Sequence, residues 1–279
     1  MNGLPFLLIE TDPAAVALGK AGKVHTETPL STLFNPVAGK GNKIQFAHIF
    51  WMEGSYIESA GASWSLRNFT VAGTLNALLT SPIPYTVNSP EETGYFSYRA
   101  IWTSLSYSQD LTILGKLFRI GATLKLAYHG FLDYVSTGLA VDLGAALNFE
   151  KRKHKIYIEK LVVTVNNIGY VFAESSFTNT GVQIGGVVKL PGFKYLTNGS
   201  LSASVSVFNQ RAISPKIGVE YTIFNIVKPR IGFKYEGCGT AFVSFGFGLV
   251  YKKIGFDLCV LPLGYAGYAF YFGLQYAFK

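Results

Sequence analysis

Long apolar runs, charge, cysteine and histidine are all in short supply in this sequence. No stretch of about 18 consecutive apolar residues occurs, which excludes a transmembrane helix. Charged residues make up only 14% of the chain, against about 25% in a typical soluble domain. Too little charge is present to cover an ordinary soluble surface. The two cysteines, Cys238 and Cys259, form no CxxC pair, and His25, His48, His129 and His154 are scattered. That pattern gives no support to a metal site or to any cofactor. A disulfide stays open, although Cys259 falls within an alternating stretch, where a small-residue role suits it better.

What the chain does have is apolar and aromatic residues. It is 49% hydrophobic and 15% aromatic, with 22 Phe, 17 Tyr and 30 Gly among 279 residues. A chain this apolar without a spanning helix is either a large α/β core or a transmembrane barrel. Helix-period stretches are scarce, which favours the barrel.

The stretch Tyr268–Phe278 shows the governing pattern. Tyr268, Phe270, Phe272, Leu274, Tyr276 and Phe278 share one face, while Ala269, Tyr271, Gly273, Gln275 and Ala277 share the other. A period of two is a strand, with one large apolar face and one small or polar face. Aromatics at both ends of the apolar face match the girdles of an outer-membrane barrel. The same element recurs, giving fourteen expected strands: 43–51, 56–66, 68–79, 96–108, 118–128, 139–149, 156–167, 180–190, 200–207, 215–224, 229–236, 243–251, 254–261 and 268–278. Phase slips between Ile158 and Leu161, and a bulge there restores it.

Strand-plus-turn units of this size suit membrane-length strands of about 9–11 residues with short connections. An even strand count puts the start of the first strand and the end of the last on the same side, the periplasmic one. The longest outward connections are then 80–95 and 168–179. The basic cluster Lys151–Lys155 falls on the periplasmic side and reads as a solvated hairpin turn. The remaining Lys and Arg are dispersed, so a net charge of +8 does not make this a nucleic-acid binder.

Residues 1–42 differ from the barrel at 43–279. The opening MNGLPFLLIE does not read as a secretory signal, so an exported barrel is expected here in a mature or incomplete form. Asp12 reads as an N-cap with Pro13 at the first helical position, and Gly19 ends the short helix. A second short segment, Ser31–Phe34, stops at Asn35-Pro36. Such small turns cannot span a membrane, and their expected place is the inside of the barrel as a hatch.

With the apolar face toward lipid, the other face supplies Ser59, Ser63, Arg119, Lys125, Asp142, Glu220, Arg230, Lys234, Glu236 and Asp257. Mixed charge fits a wetted or plugged lumen, with ion pairing to neighbours or to the N-terminal segment as the expected role of most of these groups. Catalysis is not expected: neither His48 nor His129 has a nucleophile beside it in the pattern. Trp51, Trp64 and Trp102 read as interface anchors.

The run PFLLIETDPAAVALGKAG (5–22), followed by STLFNPVAG (31–39), resembles the opening of the PorV/PorQ outer-membrane barrels, relatives of the FadL-type transporters. Asp12, Ala14, Ala17, Leu18, Gly19, Ala21 and Gly22 match the first motif, and Phe34, Asn35, Pro36 and Gly39 the second. Val37 stands where the family has alanine, and Lys20 where it has a second glycine. The run VTVNNIG ending at Gly169 is similar to a strand end of the same proteins.

The resemblance implies a bacterial outer-membrane protein with an N-terminal hatch that includes Asp12, Pro13, Gly19, Gly22, Asn35 and Pro36. It implies one of two roles, passage of hydrophobic small molecules or handling of secreted protein cargo in type IX secretion. The short outward loops speak against a large capture site for fatty acids. The rival readings are a general porin of bacterial or mitochondrial type, a barrel that anchors surface interaction loops, and a soluble β-rich binding protein. Nineteen strands, as in a mitochondrial porin, need shorter repeats than those present.

Overall fold

Alternation dictates the architecture. The computed structural model describes residues 4–86, 93–149, 156–209, 213–237 and 240–278. The Lys151–Lys155 cluster and Cys238 lie outside the described residues. Fourteen antiparallel strands form a barrel in which each strand pairs with its sequence neighbours and the last pairs with the first. They are β1 (Lys43–Phe50), β2 (Tyr56–Leu66), β3 (Phe69–Leu79), β4 (Arg99–Ile113), β5 (Lys116–Phe131), β6 (Tyr134–Asn148) and β7 (Tyr157–Val171). The circuit continues with β8 (Gly181–Leu190), β9 (Leu196–Phe208), β10 (Ser214–Ile223), β11 (Val227–Glu236), β12 (Thr240–Tyr251), β13 (Ile254–Pro262) and β14 (Tyr268–Ala277). Pairing of Lys43 with Ala277 closes it, which leaves no free edge.

The two ends of the barrel differ. One end, which carries the start of β1 and the end of β14, has tight connections such as 67–68, 114–115 and 252–253; we term it the turn end. The other, the loop end, carries the longer connections 51–55, 80–98 and 172–180. The connection 80–98 includes a small hairpin that pairs Ile83–Tyr85 with Gly94–Phe96.

Outward positions form an apolar band. Leu75, Leu105, Leu124, Leu126, Ile184, Val205, Ile217 and Phe245 are exposed at mid-height. Aromatics flank the band: Phe50, Tyr56, Tyr128, Tyr268 and Phe270 toward the loop end, and Trp64, Phe69, Tyr107, Tyr251 and Tyr276 toward the turn end. A soluble protein does not expose such a contiguous apolar belt, and a membrane barrel requires one. This belt excludes the soluble binding protein. The closed set of fourteen strands excludes the nineteen-stranded mitochondrial type. Inward positions are small and polar, as in β9, where Ser200, Ser202, Ser204 and Ser206 are all buried.

The bulge expected near Ile158 is present. Val187 pairs with Lys160 while Val188 pairs with Ile158, so Glu159 is the extra residue. A second irregularity in β7 gave no sign in the alternation: Val141 faces Ile168 but Leu143 faces Val165. Two of the three tryptophans face inward rather than outward. Trp102 shares the inward phase of β4 with Ala100, Ser104 and Ser106, and is fully buried. Trp51, just past β1, packs its ring 6.3 Å from the buried Tyr271. Only Trp64 takes the outward anchor position, at 61% exposure.

Candidate functional site

The inner face meets the N-terminal segment. Residues Leu4–Val37 are largely buried by the wall around them. The segment begins at the loop end, where the Phe6 ring lies 5.2 Å from Trp102 and 5.6 Å from His129. It continues as the short helix Pro13–Ala17, which packs against β11 to β14. His25 then reaches Glu220 at 3.7 Å, nearer the turn end. The 3-10 turn Leu30–Leu33 crosses to the opposite wall, against β2 to β5.

Asp12 is the polar hub of this segment. Its Oδ1 caps the helix by accepting from the Ala14 amide at 3.3 Å and also accepts from Gln45 Nε2 of β1 at 3.2 Å. Its Oδ2 accepts from Thr28 Oγ1 at 2.9 Å and Ser31 Oγ at 2.6 Å. One carboxylate therefore ties the descending limb, the returning limb and the wall together. Pro13 follows at the first helical position, where its missing N–H costs nothing. Asn35 does a similar task lower in sequence: Nδ2 donates to the Lys23 carbonyl at 2.8 Å, and Oδ1 accepts from Val37 N at 3.2 Å. Pro36 lies against Gly121 and Gly144 of the wall.

Close approach explains the small residues. Gly19 has φ of +65°, and a Cβ there would sit 2.5 Å from the Phe233 backbone nitrogen. Lys20 holds the left-handed region too, at φ 62°, although glycine is the residue at home there. Gly22 packs its α-carbon side on the backbone of Ala15.

The eight charged residues expected on the inner face fall into four groups. Lys125 and Asp142 form an ion pair of 2.7 Å with both side chains fully buried. Asn167 supports both partners, accepting from Lys125 Nζ at 2.8 Å and donating its backbone N–H to Asp142 Oδ1 at 2.7 Å. Arg230 forks between Glu220, at 2.5 Å, and Asp257. Lys234 pairs with Glu236 near the loop end. Arg119 stands apart: it donates to Ser108 and Thr70 and pairs with Asp110 at 3.4 Å. Satisfied charges of this kind brace the wall and the segment. The same brace extends inward, since Asn166 Nδ2 donates to the Phe34 carbonyl at 2.8 Å and Glu10 pairs with Lys23 at 3.2 Å.

A cavity of about 290 Å³ opens where the segment begins. Pro5, Leu8 and Ile9 of the segment form one wall, and Trp51, Phe242, Leu261 and Leu263 the other. Lys20, Lys234, Glu236 and Ser244 add a polar side. On the inner face of β4 to β6, Trp102 Nε1, both ring nitrogens of His129 and Ser136 Oγ are buried with no hydrogen-bond partner among the described residues, although His129 Nε2 stands 3.9 Å from the Glu174 carboxylate. Sequence reasoning missed this constellation. The signal was present in the phase of Trp102, but a lone tryptophan near a strand end invites the anchor reading. Among the described residues, no cluster of three or more potential ligands suits a metal ion.

No family model and no curated protein matches the sequence. Solved structures do match. The Pseudomonas putida toluene transporter TodX superposes with a TM-score of 0.58 at 11% identity, over 97% of this chain and 99% of that one. The Acinetobacter baumannii outer membrane protein Omp33 gives 0.51 at 8% identity, over 85% and 98%. CdiB from the same organism gives 0.51 at 7% identity, and there the match spans only 60% of that chain. At such identities the likeness is one of fold: the chain has the fold of a bacterial outer-membrane β-barrel.

Proposed function

We propose that this chain is a bacterial outer-membrane channel whose N-terminal segment, residues 1–42, is a plug, and that it passes hydrophobic or amphipathic small molecules. The carrying observation is the loop-end cavity, because the plug itself supplies one apolar wall of it. A compound bound there touches Leu8 and Ile9, so binding and displacement of the plug are coupled by contact. The cavity has the chemistry for such a guest, an apolar lining with a few convergent polar groups. TodX, a toluene transporter by its description, shares the fold along nearly its whole length. No chemical step is assigned to the site.

A general porin keeps an open aqueous lumen, whereas Ala15, Val16 and Ala17 here are fully buried at the axis side of the wall. Secretion-associated cargo handling of the PorV/PorQ kind is the second reading. The motifs at 5–22 and 31–39 favour it, and the loop-end rim would then be the surface that holds cargo.

Planar-bilayer conductance of the refolded chain, beside a variant lacking residues 1–40, tests the proposal. The expected result is a silent full-length protein and a conducting deletion. Free conductance by the full chain overturns the plug and leaves a general porin. A silent pair overturns the channel reading and turns attention to cargo.

A further inference from the structure

At the opposite, turn end lies a second and chemically different depression, a polar basin of about 560 Å³. Its cations are Lys43, Lys160, Lys189, Lys228, Lys252 and Lys253, with Arg230 at the floor. Four carboxylates line it, and all are occupied. Arg230 holds Glu220 and Asp257, Lys189 holds Glu159 at 3.3 Å, and Lys160 holds Glu27 at 3.2 Å. Seven cations against four carboxylates leave a net surplus of three, and because Arg230 takes two carboxylates, four lysines are without an ion pair among the described residues. The geometry shows where the surplus sits. Among the described residues, Lys228, Lys252 and Lys253 make no ion pair, and Lys43 Nζ meets only the Glu27 carbonyl, at 2.7 Å.

Glu27 is informative in its own right. It belongs to the N-terminal segment rather than to the wall, and its side chain is 45% exposed. The basin therefore already seats one carboxylate from the N-terminal segment, held by a lysine on the wall. That internal occupant shows the chemistry the basin accepts.

We infer that the turn-end basin is a docking site for an acidic peptide segment of a partner protein, which competes with Glu27 for the lysines. Three observations select this occupant. The lysines arise on β1, β7, β8, β11 and the β12–β13 turn, so they surround the pore mouth rather than converge on one small anion. Lys43, Lys160, Lys189 and Lys228 take inward strand positions beside Glu27, Glu220 and Asp257, away from the lipid-facing belt, while Lys252 at the rim lies 5.2 Å over the Tyr251 ring. The group already seated is part of a peptide chain, since both the carbonyl and the carboxylate of Glu27 are engaged. With the start of β1 and the end of β14 both at the turn end, and that end expected on the periplasmic side, the partner is a periplasmic protein. The inference does not depend on whether the plug moves.

Fluorescence anisotropy of a fluorescein-labelled octaglutamate peptide, titrated with the refolded full chain in neutral detergent micelles at low salt, tests it. Saturable binding is expected. The triple variant Lys228→Gln, Lys252→Gln, Lys253→Gln removes cations that make no ion pair, and should weaken binding by about ten-fold or more. Glu27→Gln removes the internal competitor and should tighten binding by about three-fold. A control triple variant, Arg99→Gln, Lys116→Gln, Lys194→Gln, lowers net charge equally outside the basin and should leave binding nearly unchanged. Absence of saturable binding overturns the inference, as does equal weakening by both triple variants, which would reduce it to net charge. If phosphatidylglycerol doped into the micelles displaces the peptide, and the basin triple variant loses that lipid effect, the basin is a lipid-headgroup site and the peptide assignment fails.

Discussion

Asp12 shows how much one residue carries in the plug. Its N-cap role follows from Asp12-Pro13 alone, because an acceptor before a helical proline is the standard start signal. Its bonds to Thr28, Ser31 and Gln45 did not follow, since those partners lie 16 to 33 positions away. Only the fold brings them to one carboxylate. Asp12→Ala leaves buried donors on all three limbs without an acceptor, at about 1–3 kcal/mol for each group stranded. The damage should stay local, because the barrel ladder does not run through Asp12. The expected outcome is rapid protease nicking between residues 4 and 40 in detergent, with the barrel's thermal unfolding midpoint nearly unchanged. Asp12→Asn keeps one acceptor oxygen and should be nicked more slowly. An equal fall in the barrel midpoint would show that the plug and wall unfold as one unit.

At the scale of the element, the strands were legible where one face meets lipid and the other the lumen. The expected bounds of β2 and β8 match to within a residue, because alternation persists along their whole length. β4 and β6 were underread at one end and β5 at both. Expected at 96–108, 118–128 and 139–149, they run Arg99–Ile113, Lys116–Phe131 and Tyr134–Asn148. Beyond the apolar band both faces meet water, so hydrophobicity stops alternating while the backbone ladder continues. The turn between β4 and β5 then consists of Leu114 and Gly115 alone, both with positive φ, the backbone that suits a two-residue hairpin.

The second irregularity of β7 was invisible for another reason: its signal is a backbone dihedral. Asn167 has φ of 56°, which asparagine tolerates better than other non-glycine residues. The twist aims its amide at Asp142 and its side chain at Lys125. Asn167→Val should cost about 1–2 kcal/mol in backbone strain alone, plus the lost bond to the buried ammonium. Asn167→Gly should relieve the strain but not replace that bond. Thermal midpoints in detergent should therefore rank wild type, then glycine, then valine. A valine variant as stable as wild type would show that the irregularity is incidental.

For the whole molecule, the two faces of the wall obey different rules, and the sequence exposes them unequally. The lipid face is written in large apolar residues at every second position, so barrel, strand count and orientation of the faces could all be read. The lumen face is written in small and polar residues whose partners come from distant strands and from the plug. Individual charges such as Lys125 and Asp142 could be named, but the pairing of Arg230 with both Glu220 and Asp257, or the surplus of lysine at one mouth, could not. The lipid face itself makes a graded prediction. Leu105 and Leu124 are cross-strand partners near the middle of β4 and β5, and both point outward. Leu114 is 96% exposed in the turn beyond the band. A lysine at mid-bilayer costs a transmembrane barrel about 2–4 kcal/mol, falling to about 0–1 kcal/mol at the interface. Leu105→Lys and Leu124→Lys should each lower unfolding stability in lipid vesicles by the larger amount, and Leu114→Lys by almost nothing. In detergent micelles, which adapt around a charge, the three should draw together. Equal effects of all three in vesicles would mean that the belt between the aromatic girdles does not sit in hydrocarbon.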